Sequence, residues 1–398
     1  MLVIVAPGQG SQVPGFLAPW LELPAVAKQL EDWSALAGCD LVYSGTIADA
    51  EEIRDTAVAQ PLLVAAAMAA AGALFGHIED APRLCSAVAG HSVGELAAGA
   101  IAGVISPDDA LRLVRVRGEA MARAATTEPT GMTAVLGGDT DAVLAALGAH
   151  GLTPANVNSA GQIVAAGTVQ QLAALAADPP SGARLRPLQV AGAFHTRHMA
   201  PAVQALRHAA DGIATSDPRT TLLSNLDGAA VRSGSDWLER IVIQVSAPVR
   251  WDECMRTLAG LDASAIIELP PAGTLTGLAR RALPGVALLA LKTPAELDAA
   301  RALVASHAVE TATRTPEWRL LVAPLAGTFR ADALAGREPQ PAEWPVIAGT
   351  QLGHVDARGT LHPVTAPCAG HVVEWLVEDS DPVSAGQPLA RVQPEIAE

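Results

Sequence analysis

Several hydrophobic patterns succeed one another along the chain. Leu2-Val3-Ile4-Val5-Ala6 is a continuous apolar run that stops at Pro7, and it predicts a buried strand. Apolar runs at 222–226 and 265–269 predict further strands, while 241–245 reads as a helix end before Pro248-Val249-Arg250-Trp251. Helical periodicity marks residues 21–36 and 61–75. Buried strands alternating with helices predict an α/β fold with a parallel sheet. Between Gly131 and about His195 the pattern changes. Strands are predicted at 132–136, 155–158, 162–166 and 186–191, with helices at 141–147 and 169–177. That β-α-β-β-α-β order is ferredoxin-like, and it predicts a subdomain at about 129–195 inserted into the α/β domain.

The rest of the chain is organised around Ser86-Ala87-Val88-Ala89-Gly90-His91-Ser92-Val93-Gly94-Glu95-Leu96-Ala97-Ala98. It reads as a buried strand, a turn and an Ala-rich helix. Gly90-His91-Ser92-Val93-Gly94 is a G-x-S-x-G within that turn. The two glycines permit close packing and strained torsions, and they push Ser92 out at a helix N-terminus. The free N–H of Val93 could there hold a developing oxyanion. The alternative is a chance motif in which Ser92 caps a helix. The strand–turn–helix context favours a nucleophile and a hydrolase-like core. After the first strand, Pro7-Gly8-Gln9-Gly10-Ser11-Gln12 fails the dinucleotide pattern because Val13 replaces the third glycine. It could present backbone N–H groups to an anion, with Gln9 as a second donor near Ser92, or be an ordinary turn.

Ser106-Pro107-Asp108-Asp109 is a helix start, with Ser as N-cap, Pro at the first position and acids in the first turn. On this helix Leu113, Val114, Ala120, Met121 and Ala124 share one face, and Arg112, Arg115, Glu119 and Arg123 share the opposite one. Arg117 lies in the middle of the apolar face. A buried guanidinium needs an acceptor, either a carboxylate elsewhere in the chain or one on a substrate. His195 follows the last predicted strand of the insert and is a candidate base for Ser92, with His198 as a rival. No third acid is evident, so a backbone carbonyl would have to orient the imidazole.

The α/β pattern is complete at about residue 302, and 303–317 reads as a linker around Thr311-Ala312-Thr313-Arg314-Thr315-Pro316. The remaining stretch, 318–398, repeats itself. Ala323-Pro324-Leu325-Ala326-Gly327 recurs as Ala366-Pro367-Cys368-Ala369-Gly370, and Pro345-Val346-Ile347-Ala348-Gly349 as Pro382-Val383-Ser384-Ala385-Gly386. Leu352 and Val355 recur in step as Leu389 and Val392. Two copies of strand, turn and strand predict a small all-β domain with pseudo-twofold symmetry.

Composition narrows the partners. The 398 residues carry a net charge of −15, which argues against nucleic acid or an anionic membrane as a partner. Four scattered cysteines without a C-x-x-C suit a reducing, cytoplasmic setting without structural zinc or another metal site. Residues 58–78 are uncharged but Ala-rich and open on Gln60-Pro61, so they read as a buried helix rather than a membrane span. Lysine occurs only at positions 28 and 292.

These motifs together resemble the malonyl-CoA:acyl-carrier-protein transacylases, the actinobacterial kind in particular, over residues 1–300. The resemblance rests on Gly8-Gln9-Gly10-Ser11-Gln12, Gly90-His91-Ser92-Val93-Gly94-Glu95 and Val116-Arg117-Gly118. It also rests on Asn156-Val157-Asn158-Ser159, Ala193-Phe194-His195, and Gln244 ahead of Pro248-Val249-Arg250-Trp251. It implies Ser92 as nucleophile, His195 as base, Gln9 and Val93 as oxyanion donors, and Arg117 as a clamp on the malonyl carboxylate. Gln244 would orient the histidine through its carbonyl, and Phe194 matches a malonyl-selective pattern. Gly192 departs from the family, which has His there. The implied substrates are malonyl-CoA and a phosphopantetheinylated carrier protein, with no other cofactor. The stretch 318–398 resembles a biotinyl/lipoyl carrier domain, a barrel-sandwich fold, through Pro324-Leu325-Ala326-Gly327-Thr328-Phe329 and Pro382-Val383-Ser384-Ala385-Gly386-Gln387-Pro388-Leu389. Gly359 falls near the family's lysine position, so neither biotin nor lipoate can be attached there. A docking role towards a fatty acid synthase or carboxylase component is the expectation that remains.

Overall fold

The computed structural model describes residues 1–314, 319–331 and 345–394, and they fall into two units dividing at Val309 and Glu310. The first unit opens with strands β1 (Leu2–Ala6) and β2 (Ala87–Gly90). An insert follows, with β3 (Thr130–Gly137), β4 (Thr153–Ser159), β5 (Gln162–Thr168) and β6 (Ala183–Pro187). The chain then returns through β7 (Thr221–Leu223), β8 (Ala230–Val231), β9 (Val249–Arg250), β10 (Ala265–Glu268) and β11 (Ala287–Ala290). The main sheet has the order β11-β10-β1-β2-β7-β8, parallel except for β8 at its edge. Side chains alternate across a strand, so a sheet covered on both faces needs apolar residues at every position. Accordingly Leu2, Ile4 and Ala6 enter one core cluster with Val88, Leu222 and Ile267. Val3 and Val5 enter the other, with Ala87, Ala89, Leu223 and Ile266.

The helix Thr56–Phe75 is long and apolar enough to cross a membrane by composition, yet residues 59–71 are all buried in the core of this unit. It packs against the helix Pro107–Ala125, whose Ser106 caps the N-terminus by accepting from the Asp109 N–H at 3.1 Å. Gly118 lets the two helices approach, since a Cβ there would lie 2.9 Å from the Thr56 carbonyl oxygen.

The insert has the strand order β6-β3-β5-β4, all antiparallel, with helices Thr140–Ala149 and Val169–Ala177. This is the ferredoxin-like order expected. The main domain lends β9 as a fifth strand, parallel to β4. The predicted strand at 186–191 is corrected to Ala183–Pro187. Beyond its end the Leu188 N–H still donates to the Met132 carbonyl at 2.9 Å, and Leu188 and Val190 line a cavity.

The expected linker at 303–317 is also revised. Leu297–Arg314 is helical, and 315–318 lie outside the described residues.

The second unit contains two four-stranded antiparallel sheets. Its strands are β12 (Arg319–Val322), β13 (Gly327–Ala331), β14 (Pro345–Val346), β15 (Gln351–Ala357), β16 (Thr360–Thr365), β17 (Gly370–Trp375), β18 (Pro382–Val383) and β19 (Pro388–Pro394). The sheet orders are β12-β19-β17-β14 and β16-β15-β13-β18. Exchanging each strand for the one four places along the chain turns one order into the other. The internal repeat therefore reappears as topology. Leu321, Phe329, Val355, Val364, Val372, Leu389 and Val392 form its shared core. The hairpin β15–β16 turns at Arg358 and Gly359, both at positive φ (55° and 85°), as a two-residue type I′ turn requires.

Candidate active site

Ser92 sits between β2 and the helix Gly94–Ile101, at φ 53°. Left-handed backbone on a serine is strained, and its surroundings have to hold it. The flanking glycines allow the tight turn. A Cβ on Gly90 would lie 2.0 Å from the Gly94 carbonyl carbon, and one on Gly94 would lie 2.3 Å from the Ala6 oxygen. Asn225, just after β7, staples the turn from the side. Its Oδ1 accepts from the Ser92 N–H at 2.7 Å, and its Nδ2 donates to the Gly90 carbonyl at 2.7 Å.

His195 also has left-handed backbone, at φ 60°, in the loop that leaves the insert. Its Nε2 is 2.7 Å from Ser92 Oγ, and its Nδ1 is 2.8 Å from the Gln244 backbone carbonyl. A carbonyl can only accept, so Nδ1 carries the proton and Nε2 is left to accept from the serine hydroxyl. Burial, reinforced by the nearby Arg117 charge, lowers the His195 pKa to about 3, so the imidazole is neutral in the working range. Its rival His198 pairs instead with Glu128 at 3.1 Å, on the loop entering the insert.

Arg117 is 1% exposed. Its Nη1 donates to Gln60 Oε1 at 2.6 Å, and its Nη2 donates to Gln244 Oε1 at 2.8 Å and to Ser92 Oγ at 3.3 Å. Among the described residues no carboxylate lies within ion-pair distance of it. Burial lowers its pKa to about 10, a value that still leaves it charged at neutral pH.

A cavity of about 480 Å³ opens over Ser92 and His195, lined by Gly8, Gln9, Gln60, Met121, Phe194 and Leu275 among others. Gln9 is thus where the sequence places it, but its side-chain amide donates to Thr56 Oγ1 at 3.2 Å and to the Arg54 carbonyl at 3.4 Å. An oxyanion contact from Gln9 would therefore have to come from its backbone N–H. Val93 is fully buried at the N-cap of the elbow helix. Gly192 has a packing reason, since a Cβ there would lie 2.6 Å from Ala125 Cβ.

Sequence reading missed three members of this constellation, namely Asn225, Gln60 and Glu95. Gln60 is the sole polar residue between Thr56 and Phe75, and Glu95 the sole charged one between Arg83 and Asp108. An isolated polar group inside an apolar stretch was the available signal. Asn225 gave none.

A serine hydrogen-bonded to a neutral histidine on a strained elbow, with donors at a helix N-terminus, defines an acyl transferase site. The family model described as the acyl transferase domain matches residues 3–311. A malonyl CoA-acyl carrier protein transacylase of Mycobacterium tuberculosis is 55% identical over 303 residues, spanning 75% of this chain and 98% of that protein. The Haemophilus influenzae protein of the same name is 33% identical over 306 residues, spanning 74% and 96%. The crystal structure of MCAT from Mycobacterium tuberculosis is similar at a TM-score of 0.72 and 53% identity, covering 76% of this chain and 99% of that one. The chain belongs to the malonyl CoA-acyl carrier protein transacylase family. A complex of a type II PKS acyl-carrier protein with its malonyl-transacylase is also similar, at a TM-score of 0.70 and 30% identity over 76% of this chain and 99% of that one.

Proposed function

We propose that this chain moves a malonyl group from malonyl-CoA to the phosphopantetheine thiol of an acyl carrier protein, in the cytoplasm and in fatty acid synthesis. Ser92 Oγ attacks the thioester carbon as its proton passes to His195 Nε2. The oxyanion is held by the N–H groups of Val93 and Gln9. Collapse expels the CoA thiolate, which takes the proton from His195, and Ser92 is left as the malonyl ester. The carrier thiol then attacks that ester by the same steps in reverse. No metal or redox group is needed to balance either half.

The observation that carries this reading is Arg117, a buried cation that touches the serine oxygen and has no carboxylate within ion-pair distance among the described residues. An acyl group ending in a carboxylate satisfies it, and an acetyl group leaves it unpaired. Replacing Arg117 by Ala should lower kcat/KM for malonyl-CoA about 100-fold, the order expected for a buried charge contact, and raise relative use of acetyl-CoA. Equal losses on both thioesters would remove the clamp role. Phe194, buried against the cavity, suits an unbranched malonyl group.

The second unit supports a narrower reading, that of a biotinyl/lipoyl-like barrel-sandwich with a bare tip. The swapped sheet orders and the I′ hairpin at Arg358-Gly359 support it, and no lysine follows Lys292. Its role would be docking to a synthase or carboxylase component. Removing 318–398 should leave transfer to free carrier protein unchanged and abolish co-elution with such components. Unchanged co-elution counts against docking.

A further inference from the structure

Two carboxylates are buried among the described residues, and they do different things. Glu268 caps the helix Thr274–Ala282, accepting from the backbone N–H groups of Leu275 and Thr276 at 2.8 Å each. Glu95 caps nothing. It lies on the elbow helix, 1% exposed, and its Oε2 accepts from Gln244 Nε2 while its Oε1 accepts from the Asn225 N–H at 3.2 Å.

An amide side chain has a donor end and an acceptor end. On the Nε2 side of Gln244 stand acceptors: the Glu95 carboxylate, the Ser92 carbonyl at 3.1 Å and Asn225 Oδ1 at 3.4 Å. On the Oε1 side stands Arg117 Nη2. Only one orientation of the amide satisfies both ends. A buried guanidinium needs a compensating charge, and a direct carboxylate partner would occupy the edge that a substrate carboxylate must reach. Inserting one amide between Glu95 and Arg117 fixes the guanidinium through hydrogen bonds and leaves its compensating charge to come from a bound carboxylate.

We infer that Glu95 is a positioning residue for acyl selection: through the Gln244 amide it fixes Arg117 without forming an ion pair, which leaves the guanidinium's charge to the carboxylate of an acyl group. This rests on the malonyl reading above, in which Arg117 binds that carboxylate. The imidazole does not depend on the relay's side chains, because His195 is held by the Gln244 backbone carbonyl.

The test is steady-state kinetics of Glu95→Gln with malonyl-CoA and with acetyl-CoA, and of Arg117→Ala in parallel. A neutral amide at position 95 no longer dictates which end of Gln244 faces Arg117. The expected result is a roughly tenfold fall in kcat/KM for malonyl-CoA, carried mainly by KM, with acetyl-CoA little changed. A parallel fall on both thioesters, or no change in their ratio, overturns the relay. If Glu95→Gln does not fold, Gln244→Met interrupts the relay at its other member and should lower the same ratio. An unchanged ratio there overturns it equally. An unchanged ratio in Arg117→Ala would refute the malonyl reading itself. A changed ratio there beside an unchanged one in Glu95→Gln refutes the relay alone.

Discussion

Ser92 and His195 both hold left-handed backbone, and each is fixed by a hydrogen bond it donates to a buried amide residue: the Ser92 N–H to Asn225 Oδ1, and His195 Nδ1 to the Gln244 backbone carbonyl. The charged residues around them are set by burial. Desolvation raises the Glu95 carboxyl from its ordinary 4.5 to about 7, opposed by the Asn225 and Gln244 hydrogen bonds and the Arg117 charge. The sign of its effect on stability follows. Between pH 4.5 and 7 the folded protein keeps a proton that the unfolded chain releases, so this contribution is full at low pH and lost as pH rises through 7. Replacing Glu95 by Gln removes it. The melting temperature of Glu95→Gln relative to the parent should therefore rise between about pH 5 and pH 8. A difference that stays constant with pH would contradict a buried, titrating carboxylate. His195 shifts the other way, with stability lost as pH falls from its ordinary 6.5 towards about 3, and it cancels in this comparison.

The elbow is where an element decides the chemistry. Its glycines are there because strand, turn and helix approach too closely for any side chain. Gly94→Ala would place a Cβ against the Ala6 carbonyl oxygen, and it should cost about 3 kcal/mol or prevent folding. Gly148, in the helix Thr140–Ala149, faces open space, and Gly148→Ala should stabilise by about 0.5 kcal/mol. Chemical denaturation of the pair checks both signs. Much of this element-level picture was legible in the sequence. Leu2–Ala6, the Ser106 cap, the insert's strand–helix order and the Ser92 turn all announce themselves through local pattern. What was not legible depends on partners distant in the chain. β9 joins the insert's sheet by long-range pairing with β4. The strand at 186–191 was misplaced because Leu188 and Val190 are apolar for the cavity's sake. Arg117 stood out as a cation on an apolar face, but its acceptors Gln60 and Gln244 lie 57 residues before it and 127 after it.

At the scale of the whole molecule, the transacylase relatives span the first unit and the family match ends at residue 311. The first unit brings all of Ser92, His195, Arg117, Gln244 and Glu95 together from its own elements. A chain ending at Arg314 should thus keep the melting transition and the malonyl transfer of the first unit. Loss of transfer to free carrier protein would mean that the second unit takes part in the reaction.

The central claim is a malonyl ester on Ser92 that a carrier thiol can discharge. Intact mass of the protein after brief exposure to malonyl-CoA, beside Ser92→Ala, tests it most directly. The account predicts one malonyl group on the parent, none on the variant, and loss of the adduct when phosphopantetheinylated carrier protein is added. No adduct and no consumption of malonyl-CoA would contradict it, as would rapid hydrolysis of malonyl-CoA without transfer.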